Sequence, residues 1–307
     1  MSKPTATPAM IADTTVHDLV ARAIPSGIAP EKRDGGEPWR VFIHVPPGPA
    51  PEAGWPVLYM TDGNAVIGTA VEAMRAQAFY PAGTNVGWGV IVAIGYPVEG
   101  AYDPLRRSWD LGPPPGKTYP PFYENTPEVK TGGAGDFLAF IEDELKPWVA
   151  SRTRIDETRQ ALYGHSFGGL FALYALFTRP LSFRTFIAAS PAIYWEDRVI
   201  DRFLEAFEAD IPNGLTADVI LSAGEYETAK LAPFQIGAED QEKRLAQKKV
   251  TRTDEFARGM AERLDAIPGL CASFELHTGE NHMSILPVTV NRAVQAAFAV
   301  KRQGRME

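Results

Sequence analysis

Residues 159–177, RQALYGHSFGGLFALYALF, restrict the fold more tightly than any other stretch of this chain. The apolar strand signal QALY runs through Gly164-His165-Ser166-Phe167-Gly168 into the apolar helix signal GLFALYALF. A strand joined to a helix by so short a turn leaves room only for small neighbours. It pushes the serine out at the helix N-terminus, where backbone N–H groups stabilise developing negative charge. The same residues also suit a glycine-rich packing turn before a buried helix. A nucleophilic Ser166 therefore requires a base, an acid and an oxyanion site elsewhere in the chain.

Strand and helix signals alternate along most of the sequence. VHDLVARA and WRVFIHV have no helix between them and predict an antiparallel edge. PVLYMTDG and GVIVAIGY are near-continuous apolar runs ending in Asp or Gly, the pattern of parallel strands covered on both faces. AVIGTAVEAMRAQA between them predicts a crossover helix. Further strands follow in RQALYG, RTFIAAS, ADVILSAG and ASFELHTG. The helices between and after them are GGLFALYALFTRP, EDRVIDRFLEAFEA, RTDEFARGMAERLDAI and VTVNRAVQAAFAV. An amphipathic helix, AGDFLAFIEDELKPWVASR, precedes the serine strand, with Phe137, Phe140, Ile141 and Leu145 at helical spacing. The pattern predicts an α/β fold, a mostly parallel twisted sheet with helices on both faces.

Residues 1–15, small, polar and proline-containing, are expected to be poorly ordered, and 16–307 to form one domain. Two segments interrupt the alternation. Residues 100–134 are dense in Pro, Gly and aromatics and suggest a functional loop or lid, and about 225–249 suggests a solvated helical insertion.

The 307 residues are 45% hydrophobic and 22% charged, as in ordinary globular proteins. A formal net charge of -8 disfavours nucleic-acid binding, and no apolar run is long enough to span a bilayer. The single cysteine, Cys271, leaves no intrachain disulfide, and its strand setting predicts a buried thiol. No signal-peptide pattern is evident, so a cytoplasmic location is expected. No His, Cys, Asp and Glu grouping has metal spacing and no glycine loop resembles a phosphate cradle, so no metal or cofactor is expected.

Of the five histidines, His17 and His44 fall in the edge strands and His277 in a strand. His165 is locked beside the serine, where it packs or positions and is a candidate substrate-binding residue. His282, in the polar loop GENHMSIL after the last strand, stands where the base belongs when nucleophile, acid and histidine follow in that order. The acid is expected after DVILSAG, in GEYE: Glu227 is favoured, three residues past the glycine, with Glu225 as the alternative. Ser166 with His282 and no coupled carboxylate is a third arrangement. The oxyanion donors would be the N–H of Phe167 and one from the turn after VLYMTDG, at Gly63 or Asn64; Asp62 is expected to shape that turn.

GGAGDFLAFIEDELKPWV, GHSFGGLFALYALF, AASPAIYW, GEYE and GENHMSIL together resemble the esterase-D-like branch of the α/β-hydrolases, in order and over about residues 38–300. Within it the chain is similar to siderophore esterases acting on catecholate trilactones such as enterobactin, salmochelin and bacillibactin. The resemblance implies Ser166 as nucleophile, His282 as base and a donor near Gly63. It also brings an Arg-x-x-Asp pattern matched by Arg107 and Asp110. Arg107 then either holds an anionic or catecholate substrate or pairs with Asp110 to order the Pro-rich loop. Trp195 is an aromatic wall or a core residue. The implied partner is a small-molecule ester, hydrolysed through an acyl-enzyme. A general carboxylesterase or S-formylglutathione-type thioesterase is the alternative within the class, and a non-catalytic binding scaffold the alternative outside it.

Overall fold

The computed structural model describes residues 13–20, 38–122 and 124–301. Its ten strands are β1 (Thr14–Leu19), β2 (Trp39–His44), β3 (Trp55–Met60), β4 (Val90–Gly95), β5 (Thr118–Tyr119), β6 (Val129–Lys130), β7 (Ile155–His165), β8 (Thr185–Ala189), β9 (Ala217–Gly224) and β10 (Leu270–His277). Eight of them form one sheet in the order β1-β2-β4-β3-β7-β8-β9-β10. β1 pairs antiparallel with β2, and β2 antiparallel with β4; the remaining pairs are parallel. The fold is the expected mostly parallel α/β sheet with an antiparallel N-terminal edge.

The helices are α1 (Gly63–Ala78), α2 (Pro81–Thr84), α3 (Pro104–Leu111), α4 (Ala134–Phe140), α5 (Lys146–Ala150), α6 (Phe167–Thr178), α7 (Trp195–Arg198, an irregular turn), α8 (Ile200–Ala209), α9 (Gln241–Thr251), α10 (Thr253–Asp265) and α11 (Ile285–Ala297). α1 and α11 cover one face of the sheet through Val66, Ile67, Met74, Val290 and Val294. α4, α6, α8 and α10 cover the other through Phe137, Phe171, Leu204 and Leu264. That double cover explains why every residue of β3, β4 and β8 is buried. α6 lies deepest, with Gly168 to Phe177 all buried. Phe171, Leu173 and Leu176 show no exposure, and each contributes about 1.5–3 kcal/mol relative to an exposed side chain.

The helix from 134 to 150 carries a π-helical turn, Ile141–Leu145, between α4 and α5. Pro147 accounts for its position. Proline in an α-helix lacks an N–H and crowds the carbonyl four residues back, and the wider turn relieves that clash.

Several local expectations are corrected. Residues 1–12 of the segment expected to be poorly ordered lie outside the described residues, while Thr14 and Thr15 already pair with His44 and Ile43. Residues 21–23 of the first strand signal also lie outside them. Segment 100–134 is far from structureless, since it holds α3 and the β5–β6 ribbon. α3 starts on a clear signal, Asp103 accepting from the Arg106 N–H at 3.1 Å with Pro104 in the first turn. The helix expected from Glu196 begins only at Ile200, because Glu196, Asp197 and Arg198 adopt left-handed φ of 48°, 56° and 63°. Cys271 is exposed rather than buried. β10 is the sheet's last strand, and its Leu270 turns inward while Cys271 turns outward. The insertion after β9 contains a 3-10 turn at Glu225–Glu227, another at Pro233–Gln235, and α9.

Candidate active site

The chemistry-bearing residues gather at the carboxyl edge of the parallel strands, where open α/β sheets place their sites. β3 delivers the Thr61-Asp62-Gly63 turn, β7 delivers Ser166, β8 Ser190, β9 the Glu225–Glu227 turn, and β10 the loop holding His282.

Ser166 occupies a sharp elbow, with φ 60° and ψ -113° at the N-cap of α6. Its N–H donates to the Ala189 carbonyl at 2.9 Å, fixing the strained conformation to β8. The flanking glycines are obligatory. A Cβ on Gly164 would lie 2.0 Å from the Gly168 carbonyl oxygen, and one on Gly168 would lie 2.3 Å from Thr61 Oγ1. The second contact also shows how closely the start of α6 approaches the β3–α1 turn. The N–H groups of Phe167, Gly63 and Asn64 all belong to first helical turns, whose donors have no partner within their own helix. Two helix N-termini therefore converge beside the serine.

His282 Nε2 lies 3.1 Å from Ser166 Oγ, and His282 Nδ1 lies 2.6 Å from Glu227 Oε1. The other carboxylate oxygen, Glu227 Oε2, accepts from Ser190 Oγ at 2.5 Å and from the Gly224 N–H at 2.8 Å. Burial raises the Glu227 pKa, but hydrogen bonds from His282, Gly224 and Ser190 outweigh it and leave the carboxyl below its usual range. An ionised Glu227 bonded to Nδ1 fixes the tautomer that presents an unprotonated Nε2 to the serine. The arrangement can draw a proton from Ser166 and hold the resulting imidazolium.

The other expected residues divide. Glu225 faces away from His282: its Oε2 accepts from the Gly279 N–H at 2.9 Å and its Oε1 lies 3.3 Å from Lys230 Nζ. His165 is 4% exposed, with its ring 4.7 Å from that of His282 and a hydrogen bond to the His282 backbone. It sits behind the histidine rather than in the mouth of the site. Burial, reinforced by the nearby His282, pushes its pKa down to about 3, so it stays neutral. Arg107 pairs with Asp62 through two bonds, Nε to Oδ1 at 2.8 Å and Nη2 to Oδ2 at 2.9 Å. Asp62, at φ 55°, immediately precedes α1 and gives its carboxylate to Arg107 rather than to the helix end, so the fork braces the β3–α1 turn. Asp110 is engaged instead by Trp39 Nε1 at 2.7 Å. Asn64 spends its side chain on the next loop, accepting from the Tyr96 N–H and donating to the Tyr96 and Val98 carbonyls. Only its backbone N–H remains for the serine side. Trp195 packs edge-on against Phe167 at 4.6 Å and tilted against Tyr119 at 5.0 Å. Glu196 beside it accepts from Thr131 Oγ1 at 2.6 Å and Tyr119 Oη at 3.2 Å, tying the β5–β6 ribbon to the wall.

Sequence reasoning missed Ser190, although it stands at a strand end in the AASP stretch. It also missed the Arg107–Asp62 pair and the cleft of about 320 Å³ that opens beside His282. That cleft is walled by Tyr194, Tyr226, Phe234, Arg244 and Lys248, among others, several of them from the insertion. Among the described residues no group of His, Cys, Asp and Glu is arranged to hold a metal ion, and no helix is long and apolar enough to cross a membrane.

The chain is similar over most of its length to characterised esterases. A ferri-bacillibactin esterase of Bacillus subtilis is 35% identical over 269 residues, covering 87% of this chain and 86% of that protein. A siderophore triacetylfusarinine C esterase of Aspergillus fumigatus is 35% identical over 281 residues, covering 87% and 91%. The solved structure of siderophore hydrolase EstB from Aspergillus nidulans superposes with a TM-score of 0.79 at 28% identity, covering 98% of this chain and 100% of that one. Residues 35–285 match the Esterase family model. This chain belongs to that family of α/β-hydrolases and is a serine carboxylic ester hydrolase.

Proposed function

We propose that Ser166 is the nucleophile, His282 the general base and Glu227 the acid that orients it, in an enzyme that opens a siderophore trilactone. The observation that carries the site assignment is the continuous relay from Ser166 Oγ through both nitrogens of His282 to Glu227, at 3.1 and 2.6 Å. His282 Nε2 takes the serine proton as Oγ attacks an ester carbonyl. The Phe167 N–H and an N–H of Gly63 or Asn64 receive the oxyanion. The proton then passes from His282 to the leaving alkoxide, giving an acyl-enzyme. Water, activated by the same nitrogen, releases the acid and restores Ser166.

The substrate assignment rests on similar proteins named for siderophore esters, among them esterases of bacillibactin, triacetylfusarinine C, enterobactin and salmochelin. The aromatic and cationic residues that wall the cleft beside His282 support a substrate with aromatic, oxygen-rich arms. The relay itself weighs against a scaffold that only binds. A cytoplasmic site of action belongs to the same reading and agrees with the single cysteine, which can form no intrachain disulfide. Cell fractionation checks it, and activity confined to the medium or an extracytoplasmic fraction contradicts it.

Product analysis tests the substrate. The enzyme is offered a catecholate trilactone, S-formylglutathione and short-chain nitrophenyl esters. The trilactone is expected to show a kcat/KM at least about tenfold above the others, the scale of one good polar contact. Turnover no better than that of simple esters removes the siderophore assignment and leaves a general esterase.

A further inference from the structure

The turn that carries Glu227 and the loop that carries His282 are stitched to each other. Glu227 bonds His282, the Tyr226 N–H donates to the Glu280 carbonyl at 2.9 Å, and the Gly279 N–H donates to Glu225 Oε2 at 2.9 Å. The strands beneath them, β9 and β10, pair directly in the sheet. Ser166 stands apart from this unit, at the end of β7, with β8 lying between β7 and β9. A relay from Ser166 Oγ to Glu227 therefore needs its two halves held in register across the width of a strand.

The end of β8 fills that gap. The Ser166 N–H donates to the Ala189 carbonyl at 2.9 Å, and the Ala192 N–H donates to the Ser166 carbonyl at 3.1 Å, so residues 189–192 run along the elbow. Ser190, between them, turns the other way. Its N–H donates to the Ser222 carbonyl at 2.8 Å, and its Oγ donates to Glu227 Oε2 at 2.5 Å. It does so at a left-handed φ of 43°, a conformation unfavourable for residues other than glycine. At 1% exposure its hydroxyl is closed to solvent, and Glu227 is the partner that satisfies it. The other donors to Glu227 cannot tie it to the elbow. The Gly224 N–H belongs to the same turn and moves with it, and His282 is the group to be oriented. A second side-chain tie, from His165 to the His282 backbone, holds the base and not the acid.

On the catalytic assignment given above, we propose that Ser190 is a positioning residue for ester hydrolysis, its hydroxyl setting the Glu227 carboxylate, and through it His282, in register with the Ser166 elbow. A carboxylate held at one oxygen only can turn about its last bond. With Oε2 held by Ser190 and Gly224, Oε1 is left to face His282 Nδ1. A hydroxyl bond to an ionised oxygen is of the short, strong kind. Without it, Oε2 keeps only the Gly224 N–H, and Glu227 shifts with its own turn. His282 follows Glu227, its distance to Ser166 Oγ is no longer fixed, and proton transfer suffers. Ser190 touches neither the substrate nor the reacting atoms; it acts through Glu227.

A double-mutant cycle on the full chain separates this role from a general structural one. kcat and KM for nitrophenyl acetate are measured in the parent, Ser190→Ala, Ser190→Gly, Glu227→Ala and the two double variants, with a thermal melt on each. Alanine keeps the backbone preference of serine, whereas glycine accepts the left-handed conformation freely, so the pair removes the hydroxyl with and without backbone strain. Both Ser190 variants are expected to lose about tenfold in kcat, the scale of one hydrogen bond to a charged group, with KM changed less than about twofold. In the Glu227→Ala background the same substitutions should lower kcat by less than about twofold. Parent-like kcat in both Ser190 variants, an equal loss in both backgrounds, a loss carried by KM, or a loss in alanine but not in glycine overturns the positioning role and leaves the catalytic assignment standing. Full activity of Glu227→Ala overturns that assignment, and the role of Ser190 with it.

Discussion

The turn after β7 and the insertion after β9 both adjoin His282, which bonds Ser166 on one side and lines the cleft on the other, but they are built in opposite ways. Around Ser166 the backbone is strained, the flanking glycines have no space for a methyl group, and the following helix is buried all round. In the insertion, α9 has no buried residue, and its hydrogen bonds and ion pairs lie largely at the surface. On the proposed mechanism the first region holds the reacting atoms at fixed positions, which requires packing from every side. The second presents charge to whatever enters, which requires only that side chains reach the cleft. Substitutions should therefore act on rate and fold in the first region and on substrate choice in the second.

The sharpest break of this contrast is Ser166→Ala, which should lower kcat on any ester by about a millionfold. Stopped assays on nitrophenyl acetate check it, and residual activity near that of the parent would move the nucleophile elsewhere. Glu227→Gln keeps the shape but loses the charge that holds the His282 tautomer, so kcat should drop about 10,000-fold with KM little altered. The companion substitution Glu225→Gln should change kcat less than about threefold, because that carboxylate faces Gly279 and Lys230. Gly164→Ala drives a methyl group into the Gly168 carbonyl and should cost about 3 kcal/mol of stability, read from denaturant unfolding.

His165 gives a pH-dependent effect on stability, absent at neutral pH. Its folded pKa, lowered to about 3, is below the ordinary histidine value of 6.5. Between those values the unfolded chain binds a proton that the folded chain refuses. Stability is therefore unaffected above pH 6.5 and falls as pH drops below it. The parent should lose about 1.4 kcal/mol more per pH unit than His165→Asn across that window. Parallel pH curves would show that His165 is solvated after all. Val250→Lys, at a position 68% exposed on α9, should shift stability by less than about 0.5 kcal/mol, and a larger effect would mean the insertion is packed more tightly than described.

Much of the first region was legible in the sequence because it is encoded locally or by order along the chain. Ser166 is announced by its strand, glycines and helix, and Glu227 and His282 follow strands at offsets that chain order alone suggests. The unforeseen partners depend on contacts between distant segments. Ser190 reaches Glu227 across 37 positions and Arg107 reaches Asp62 across 45, and no local pattern marks either pair. The Arg-x-x-Asp spacing even pointed to the wrong acid, since Asp110 is taken by Trp39 at the start of β2. Helix α3 was hidden in the average composition of a proline-rich segment, although Asp103-Pro104 is a specific start signal. Cys271 was misjudged because a strand pattern does not say whether the strand lies at the centre or the edge of a sheet.

The central claim is that Ser166 forms a covalent acyl-enzyme with His282 and Glu227 behind it. It is tested most directly by mass spectrometry of protein quenched during turnover of a slowly hydrolysed ester, with the modified peptide sequenced. An acyl group on Ser166, absent in Ser166→Ala and decaying at the rate of product release, is the predicted result. An acyl group on another residue, or full turnover with no covalent species on Ser166, would contradict the account.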